Sequence, residues 1–287
     1  MTTRHNIVPI RNLTDRAEAI SLLEEGFPGK YWWNDVVGNF KLTENTQEGV
    51  LLKIDGVGQG VMLLFEHERL VHGRKMKFVN ISSWYVRLNY RNFTMVMLEK
   101  VIEGEDRIFT IFTPSKSVQR RCLAAGFKLF SNGAILSLPF LNNQETTRRV
   151  SIRPIKSDEP FDAITHSFTS QAILQHCTLP FIALEVSDIG SDNVAKIVFR
   201  LFLRKHIKFC RMIYTDNPDF VVTSLSSIKK FLLLRYFCAG IYLPNFHPYN
   251  MLRSYFPNIQ SPSIVVKGLI PDADIDLLYS EYLYLPI

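Results

Sequence analysis

Short apolar runs alternate with helix-like segments along the first 140 residues, and this alternation limits the folds that the chain can adopt. The runs have the composition of strands, whereas the segments between several of them carry apolar residues at helical spacing. The predicted order is β-α-(α)-β-β-β-α-β-α-β-β. A helix that crosses between two strands normally leaves them side by side and parallel. The sequence therefore predicts a mixed α/β fold, an α+β arrangement around a mixed sheet.

The predicted elements of this half can be given by residue. Helices are expected over 15–27, 93–102 and 115–127. Strands are expected at 7–10, 50–54, 60–64, 78–86, 107–112, 127–130 and 134–140. The last two strands are predicted to form a hairpin.

The second half begins like the first. A polar run, 141-LNNQETTRR-149, has the composition of a linker, so two domains are expected, 1–145 and 146–287. After it, 152-IRPIKSD-158 echoes 10-IRNLTD-15, which indicates an internal repeat. Further strands are predicted at 208–214, 263–268 and 279–285, and helices near 192–205 and 224–237.

Composition favours an ordinary globular protein of 287 residues, with 47% apolar and 21% charged residues. Its four cysteines lie far apart, without the spacing of a zinc site or of a disulfide framework, so buried free thiols and no metal are expected. The N-terminus lacks a secretory pattern, and no apolar stretch is long enough to span a membrane. A cytoplasmic protein is expected.

Positive charge is concentrated in the second half. The formal net charge of the chain is +6, yet the stretch between Asp192 and Asp272 alone carries +9, from eleven bases and two acids. Such a patch favours an anionic partner such as a nucleotide-like cofactor, a phosphorylated sugar, an acidic carrier protein or a lipid headgroup. A solvated basic face and peripheral membrane contact through 194–211 remain alternatives. Nucleic acid is not expected, since no reader motif accompanies the bases.

A basic turn without glycine joins a predicted strand to a helix within 82-SSWYVRLNYRNFTMVMLEKVI-102. The start of a helix offers free backbone N–H groups and the positive end of the helix dipole, a combination that often binds phosphate. The turn is therefore a candidate anion site.

The order of elements and several phrases resemble the Gcn5-related N-acetyltransferases. The phrases are a strand that ends in WYV, the turn YRNFT, a strand that ends in TPS, and the helix end LAAGFKLF. The whole chain resembles a two-domain subgroup associated with bacterial polysaccharide or cell-envelope genes. This likeness implies tandem acyltransferase folds, a degenerate second copy that contributes to the acceptor cleft, and acetyl-CoA or another acyl thioester, on CoA or on a carrier protein, as donor.

The family resemblance also assigns a donor site. In the family the turn reads Arg/Gln-x-x-Gly-x-Gly/Ala and holds the pyrophosphate of acyl-CoA, and the matching residues here are Arg91, Asn92, Phe93, Thr94, Met95 and Val96. Thr94 and Val96 replace glycines, so the phosphate either sits further out or is no longer bound. The likeness places Trp84, Tyr85 and Val86 along the pantetheine arm.

The sequence offers fewer candidates for catalytic residues than for donor-binding residues. Tyr85 is a candidate acid, and His247 and Glu281 are candidate bases, with Asp276 a further carboxylate. Glu281 is preferred because it matches an acidic position in the closing phrase of the subgroup. Each residue also has a non-catalytic alternative. Tyr85 can form part of the cleft wall, His247 can be a loop residue, and the carboxylates can face solvent.

The acceptor is expected to be an amine. Trp32 and Trp33 fall where the family covers its acceptor, and aromatic rings there suit a sugar ring, so an amino sugar of a surface polysaccharide precursor is one expectation. The alternative role for one of these two tryptophans is to anchor that segment to the core. The alternative function is a degenerate acyltransferase fold that serves as a non-catalytic binding or assembly protein.

Overall fold

The computed structural model describes residues 4–29, 33–38, 48–71, 74–104, 107–131, 133–139, 149–156, 173, 180–245, 249, 258–259, 263–268 and 277. The described chain forms two compact units. The first comprises residues up to Leu129 together with 264–268, and the second comprises the described residues from Phe130 to Ser263 together with Leu277. The boundary expected at 145/146 lies outside the described residues.

The helices and strands have the following bounds. Helices are α1 Leu13–Gly26, α2 Trp33–Gly38, a 3-10 helix Leu88–Phe93, α3 Thr94–Val101, α4 Lys116–Ala124 and α5 Pro218–Tyr236. Strands up to residue 137 are β1 His5–Pro9, β2 Gly49–Ile54, β3 Val57–Val71, β4 Arg74–Val86, β5 Arg107–Ile111, β6 Lys128–Ser131 and β7 Ala134–Ser137. Later strands are β8 Val150–Pro154, β9 Phe181–Asp188, β10 Val194–Arg204, β11 Ile207–Thr215, β12 Ile241–Pro244, β13 Asn258–Ile259 and β14 Ile264–Lys267.

The first sheet has seven strands in the order β1-β2-β3-β4-β5-β14-β6. Strands β1 to β4 form an antiparallel meander, β4 and β5 run parallel, and β14 is antiparallel to β5. Helix α3 provides the crossover that a parallel pair requires. The predicted mixed α/β fold is confirmed.

The second sheet repeats this order of pairings. Its strands are ordered β8-β9-β10-β11-β12-β7-β13, and only β11 and β12 pair in parallel. Helix α5 connects that parallel pair, as α3 does in the first sheet. Strands β1 and β8, which hold or adjoin the two echoed sequence phrases, stand at the same edge position of their sheets.

The sixth position of each sheet is filled by a strand from the opposite half of the chain. Strand β14 lies between β5 and β6, and β7 lies between β12 and β13. The predicted hairpin of 127–130 with 134–140 is therefore wrong. Because β7 and β14 are both short apolar strands, local sequence does not decide which sheet each one joins.

A second correction concerns residues 192–205, which were expected to be helical. Most of this segment is strand β10, paired with β11 across a two-residue turn. Lys205 and His206 have φ values of 49° and 66°, as a type I′ hairpin turn requires. The β-branched and aromatic residues of β10 favour a strand, although their spacing also fits one face of a helix.

Both faces of the first sheet are covered. Helices α3 and α4 contribute Met97, Leu98 and Cys122 to one buried cluster, and α1 and α2 contribute Leu23 and Trp33 to the cluster on the other face. Met97 is fully buried in the first of these clusters. Cys122, Cys210 and Cys238 are buried free thiols, as expected, while Cys177 lies outside the described residues.

We expect Val265→Ala in β14 to destabilise the first unit by on the order of 2 kcal/mol, because Val265 is fully buried there and truncation leaves a cavity. All three tryptophans precede residue 129, so urea unfolding followed by tryptophan fluorescence reports this unit. Ile135 in β7 is equally buried, and Ile135→Ala should shift the unfolding transition that tryptophan fluorescence reports less than Val265→Ala does. A larger shift from Ile135→Ala would contradict the strand assignment.

Candidate active site

Strands β4 and β5 separate partway along their length. Their pairing runs from Lys77–Arg107 to Asn80–Thr110, where the Asn80 side chain donates to the Thr110 carbonyl at 3.2 Å. Strand β4 then continues to Val86, paired on its other side with β3. On the side away from β3, residues 82–86 have no strand partner among the described residues, and this edge is here called the β4 notch. An extended amide-containing ligand can pair with such an edge.

A β-bulge explains the separation. Tyr85 pairs with Val61 and Ser82 with Leu63, so Ser83 and Trp84 together oppose a single residue of β3. Ser83 has a φ of 46°, in the left-handed region. An extra residue bends a strand and increases its twist, which turns the end of β4 away from β5.

Tyr85 and Trp84, two of the predicted arm-binding residues, lie on opposite sides of the notch. Trp84 packs against the cluster that α3 covers, and its buried indole nitrogen has no hydrogen-bond partner among the described residues. Tyr85 packs against the α1 cluster, with its ring centroid 6.4 Å from that of Phe27. Val86 is buried at the end of the strand.

The predicted phosphate turn is a 3-10 helix that leads directly into α3. Neither helix start carries a side-chain cap. Arg91 and Asn92 are exposed, and Phe93 is half-buried with its ring 4.9 Å from that of His5. The turn therefore combines helix starts that lack a side-chain cap with an accessible guanidinium, features that favour an anion, although the Thr94 N–H already donates to the Arg91 carbonyl.

The two residues that replace glycine point in different directions. Thr94 is buried, and its hydroxyl donates to the Arg91 carbonyl at 2.6 Å, so this proton is committed within the helix. Val96 is 38% exposed, and Met95 packs against the core. The Thr94 side chain is thus turned into the protein rather than over the turn.

A polar network at the end of β4 was not anticipated from the sequence. Glu25, at the end of α1, accepts from the Tyr85 hydroxyl at 2.8 Å and from Arg87 Nη2 at 2.7 Å. Arg87 also donates to the Gly58 carbonyl and to Gln59 Oε1. A Cβ at Gly26 would lie 2.4 Å from Tyr85 Cγ, so glycine is what lets the helix end approach this ring.

The network fixes two protonation states. The hydrogen bond from Arg87, and then that from Tyr85, lower the pKa of Glu25, whereas burial and the bond to Glu25 raise the pKa of Tyr85. Near neutral pH the pair is a carboxylate and a neutral phenol whose proton faces Glu25.

The other predicted site residues fall into two groups. Trp33 is 1% exposed and packs with Phe27 at 5.7 Å between ring centroids, so it anchors α2 to the core and offers no open ring face. Trp32, His247, Asp276 and Glu281 lie outside the described residues, and their roles stay predictions.

The corresponding place in the second unit is closed. Strand β11 also continues past its last pair with β12, Arg211–Tyr242, and carries a bulge against β10. However, the Leu277 backbone N–H donates to the Ile213 carbonyl at 2.9 Å, so the chain itself contacts this part of the strand.

The start of α5 is also unlike that of α3. The Asn217 side chain caps it by accepting from the Phe220 N–H at 3.2 Å, Pro218 follows, and Asp219 adds a negative charge in the first turn. These features disfavour a phosphate at this helix end.

No group of three His, Cys, Asp or Glu side chains within the described ranges could hold a metal ion. None of the described helices has the length and hydropathy needed to cross a membrane.

Solved structures share this fold. The chain is similar to a GCN5-related N-acetyltransferase from Anabaena variabilis, with a TM-score of 0.61 at 12% identity over 92% of this chain and 72% of that one. A GCN5-related N-acetyltransferase from Kribbella flavida gives 0.56 at 10% identity over 93% and 72%. No protein-family model and no curated protein matches the sequence. The fold is therefore that of the GCN5-related N-acetyltransferases, while the sequence is only 10–12% identical to these two structures.

We expect acid to remove the contribution of Glu25 to stability. Its lowered pKa means that the carboxylate stabilises the fold above the ordinary value of 4.5 and that this stabilisation is lost as pH falls through the lower folded-state pKa. The melting temperature of Glu25→Gln should therefore lie below wild type near neutral pH and converge with it in acid. Glu24→Gln, on the neighbouring exposed residue, is the control, and an equal effect of both changes would argue against the network.

Proposed function

We propose that the protein is an acyltransferase that moves an acyl group from an acyl-CoA thioester to an amine. The observation that carries this proposal is the β4 notch, beside a helix start without a side-chain cap, in a fold of the GCN5-related N-acetyltransferase type. Acetyl-CoA is the simplest donor that this arrangement suits.

The described residues fit the donor at both of its ends. Main-chain groups of Ser82 to Val86 pair with the amides of the pantetheine arm, a contact that does not depend on side chains. Arg91 and the N–H groups of the turn neutralise the pyrophosphate. Because Thr94 is turned inward and Val96 lies at the surface, neither residue fills the helix start.

When bound, the donor supplies a thioester carbon that an amine attacks directly. The Cys122 thiol does not offer a covalent route, because burial raises its pKa to about 11 and leaves little thiolate at neutral pH. Main-chain N–H groups in the notch are the available donors for the developing oxyanion.

The Glu25 network bears on which residue removes the proton from the acceptor amine. Glu25 is a weak base because its pKa is lowered, and Tyr85 is a weak acid because its pKa is raised and its proton faces Glu25. Glu25 and Tyr85 therefore suit a positioning role at the end of the β4 notch rather than a role in proton transfer. The predicted bases Glu281 and His247 remain the candidates for proton removal.

The second unit is proposed to be a degenerate copy without an acyl-thioester site of its own. The Leu277 contact on β11 and the capped, acidic start of α5 support this. An amino sugar remains the proposed acceptor, on the strength of the sequence resemblance. The glycine-free turn favours one alternative, a non-catalytic binding or assembly protein built on the same fold.

Arg91→Ala should weaken the binding of acetyl-CoA by about tenfold, since a charge-assisted contact is lost, while the exposed position leaves the melting temperature unchanged. Calorimetric titration and thermal unfolding measure the two quantities. Arg120→Ala, exposed on α4, should change neither. Absence of wild-type binding to acetyl-CoA and to longer acyl-CoAs would support the non-catalytic alternative.

Glu281→Gln should lower turnover without changing the affinity for acetyl-CoA, because a base acts on the acceptor and not on the donor. Loss of a general base typically costs about 10²–10⁴-fold in rate. His247→Gln provides the comparison between the two candidates, measured by the release of free CoA with an amine acceptor. A rate unaffected by Glu281→Gln would exclude that residue as the base.

A further inference from the structure

The hairpin turn between β10 and β11 is exposed along its whole length. Residues 203–208 read Leu-Arg-Lys-His-Ile-Lys, and all six are exposed. Because the two strands pair up to Arg204 and Ile207, these residues form a tight, projecting turn rather than a loop folded back on the sheet. Two aliphatic side chains, those of Leu203 and Ile207, therefore flank a convex tip.

The end of helix α5 lies beside this turn. The Ala239 N–H, just past the helix, donates to the Lys208 carbonyl at 2.8 Å. The Sγ atoms of Cys238 and Cys210 are 2.9 Å apart, which places the same helix end over the first residues of β11. The turn and the end of α5 thus belong to one end of the second unit.

Two more apolar side chains stand at the helix end. Leu234 and Phe237 follow the exposed Lys230 at intervals of four and three residues, the spacing of one helix face. We call Leu203, Ile207, Leu234 and Phe237 the apolar tip, and their side chains are between 50% and 74% exposed. Single exposed apolar residues are ordinary on a protein surface, whereas several at one end of a unit indicate an interaction site.

The backbone of Phe237 supports the same interpretation. This residue ends α5 with a φ of 60°, in the left-handed region. Glycine and asparagine are the usual residues at such a helix end, and a bulky side chain is disfavoured there. Phe237 is also the most exposed of the large apolar residues that the structure describes. Its ring therefore adds nothing to the core that would offset the unfavourable backbone conformation.

Positive charge surrounds the apolar tip. Five exposed bases lie on the turn and on the last two turns of α5, namely Arg204, Lys205, Lys208, Lys230 and Arg235. Side chains of this length combine an apolar stem with a charged head, so they can lie beside an apolar surface while the head stays in a polar layer.

The described acids of the second unit lie toward the other end of β10. Asp216 accepts from the Lys196 N–H at 2.7 Å, and Glu185 is the cross-strand partner of Lys196. Lys196 precedes Arg204 by eight residues, about 26 Å along a strand. Asp219 is in the first turn of α5, at the opposite end of that helix from Phe237. The tip is therefore separated from these negative charges.

We propose that the apolar tip and the bases around it dock the protein on an anionic lipid surface. Apolar side chains on a convex tip can enter the boundary between headgroups and acyl chains, while the bases remain at the level of the lipid phosphates. A second copy of this chain would bring the same positive charge to the contact, so self-association through this end is disfavoured. The surface lies wholly within the second unit and does not depend on acyl transfer.

Co-sedimentation of the full chain with lipid vesicles tests this surface. We expect binding to vesicles of equal parts phosphatidylcholine and phosphatidylglycerol, and much weaker binding to phosphatidylcholine alone. Binding to the mixed vesicles should weaken with salt, since the screening length falls from about 10 Å at 0.1 M to about 3 Å at 1 M.

Phe237→Asn tests the apolar contribution without a change of charge. Asparagine suits the left-handed backbone, so the variant should fold, and the lost apolar burial should weaken vesicle binding by about tenfold. Ile189→Asn is the matched control, because Ile189 is 65% exposed between β9 and β10, at the other end of β10. Its effect should stay within about twofold.

Lys208→Gln tests the charge contribution and should weaken binding by about fivefold, since each base close to an anionic surface adds a comparable factor. Lys128→Gln, exposed on β6 in the first unit, removes the same charge and should change binding by less than about twofold. Thermal unfolding verifies that each variant folds, and Lys208→Gln keeps the test informative if Phe237→Asn does not fold.

Three outcomes would overturn the proposal. Wild-type protein that stays in the supernatant with the mixed vesicles at low salt would show that this end does not bind lipid. Equal losses in Phe237→Asn and Ile189→Asn would mean that the apolar tip has no special role. Equal losses in Lys208→Gln and Lys128→Gln would reduce the binding to the net charge of the chain.

Discussion

The parallel pairing of β4 with β5, and the point at which it stops, determine what the first unit can do. A parallel pair needs a crossover, which brings the start of α3 to the end of β4. The bulge at Ser83 and Trp84 then frees the last residues of β4 from β5, while β3 still holds them in extended form. A strand edge without a partner among the described residues and a helix start without a side-chain cap therefore meet at one place.

The second unit shows that topology alone does not make such a site. It has the same order of pairings, a parallel pair at the same position and a bulge in the strand that leads to the helix. What differs is local chemistry. Asn217 caps the start of α5 and Asp219 adds a negative charge there, whereas the start of α3 has no side-chain cap and follows the exposed Arg91. The exposed positive charge of the second unit gathers around its Lys205–His206 turn and the end of α5.

Sequence patterns predict the features that depend on neighbours along the chain. The β4 strand, the turn after it and the helix that follows all correspond to spacing and composition. The Glu25 network was missed because Glu25 meets Tyr85 and Arg87 from about 60 residues away, and of the three the sequence singles out Tyr85 alone. Strand β10 was mistaken for a helix because its apolar spacing fits both periods, and only the Lys205–His206 turn decides between them.

The reciprocal placement of β7 and β14 has a consequence for how the chain matures. The strand between β5 and β6 comes from residues 264–267, so the first sheet stays incomplete until these residues have left the ribosome. Contacts of such large sequence separation slow folding, because loop closure must precede them. Cutting the gene between the halves would leave each product one strand short, with an exposed edge prone to self-association.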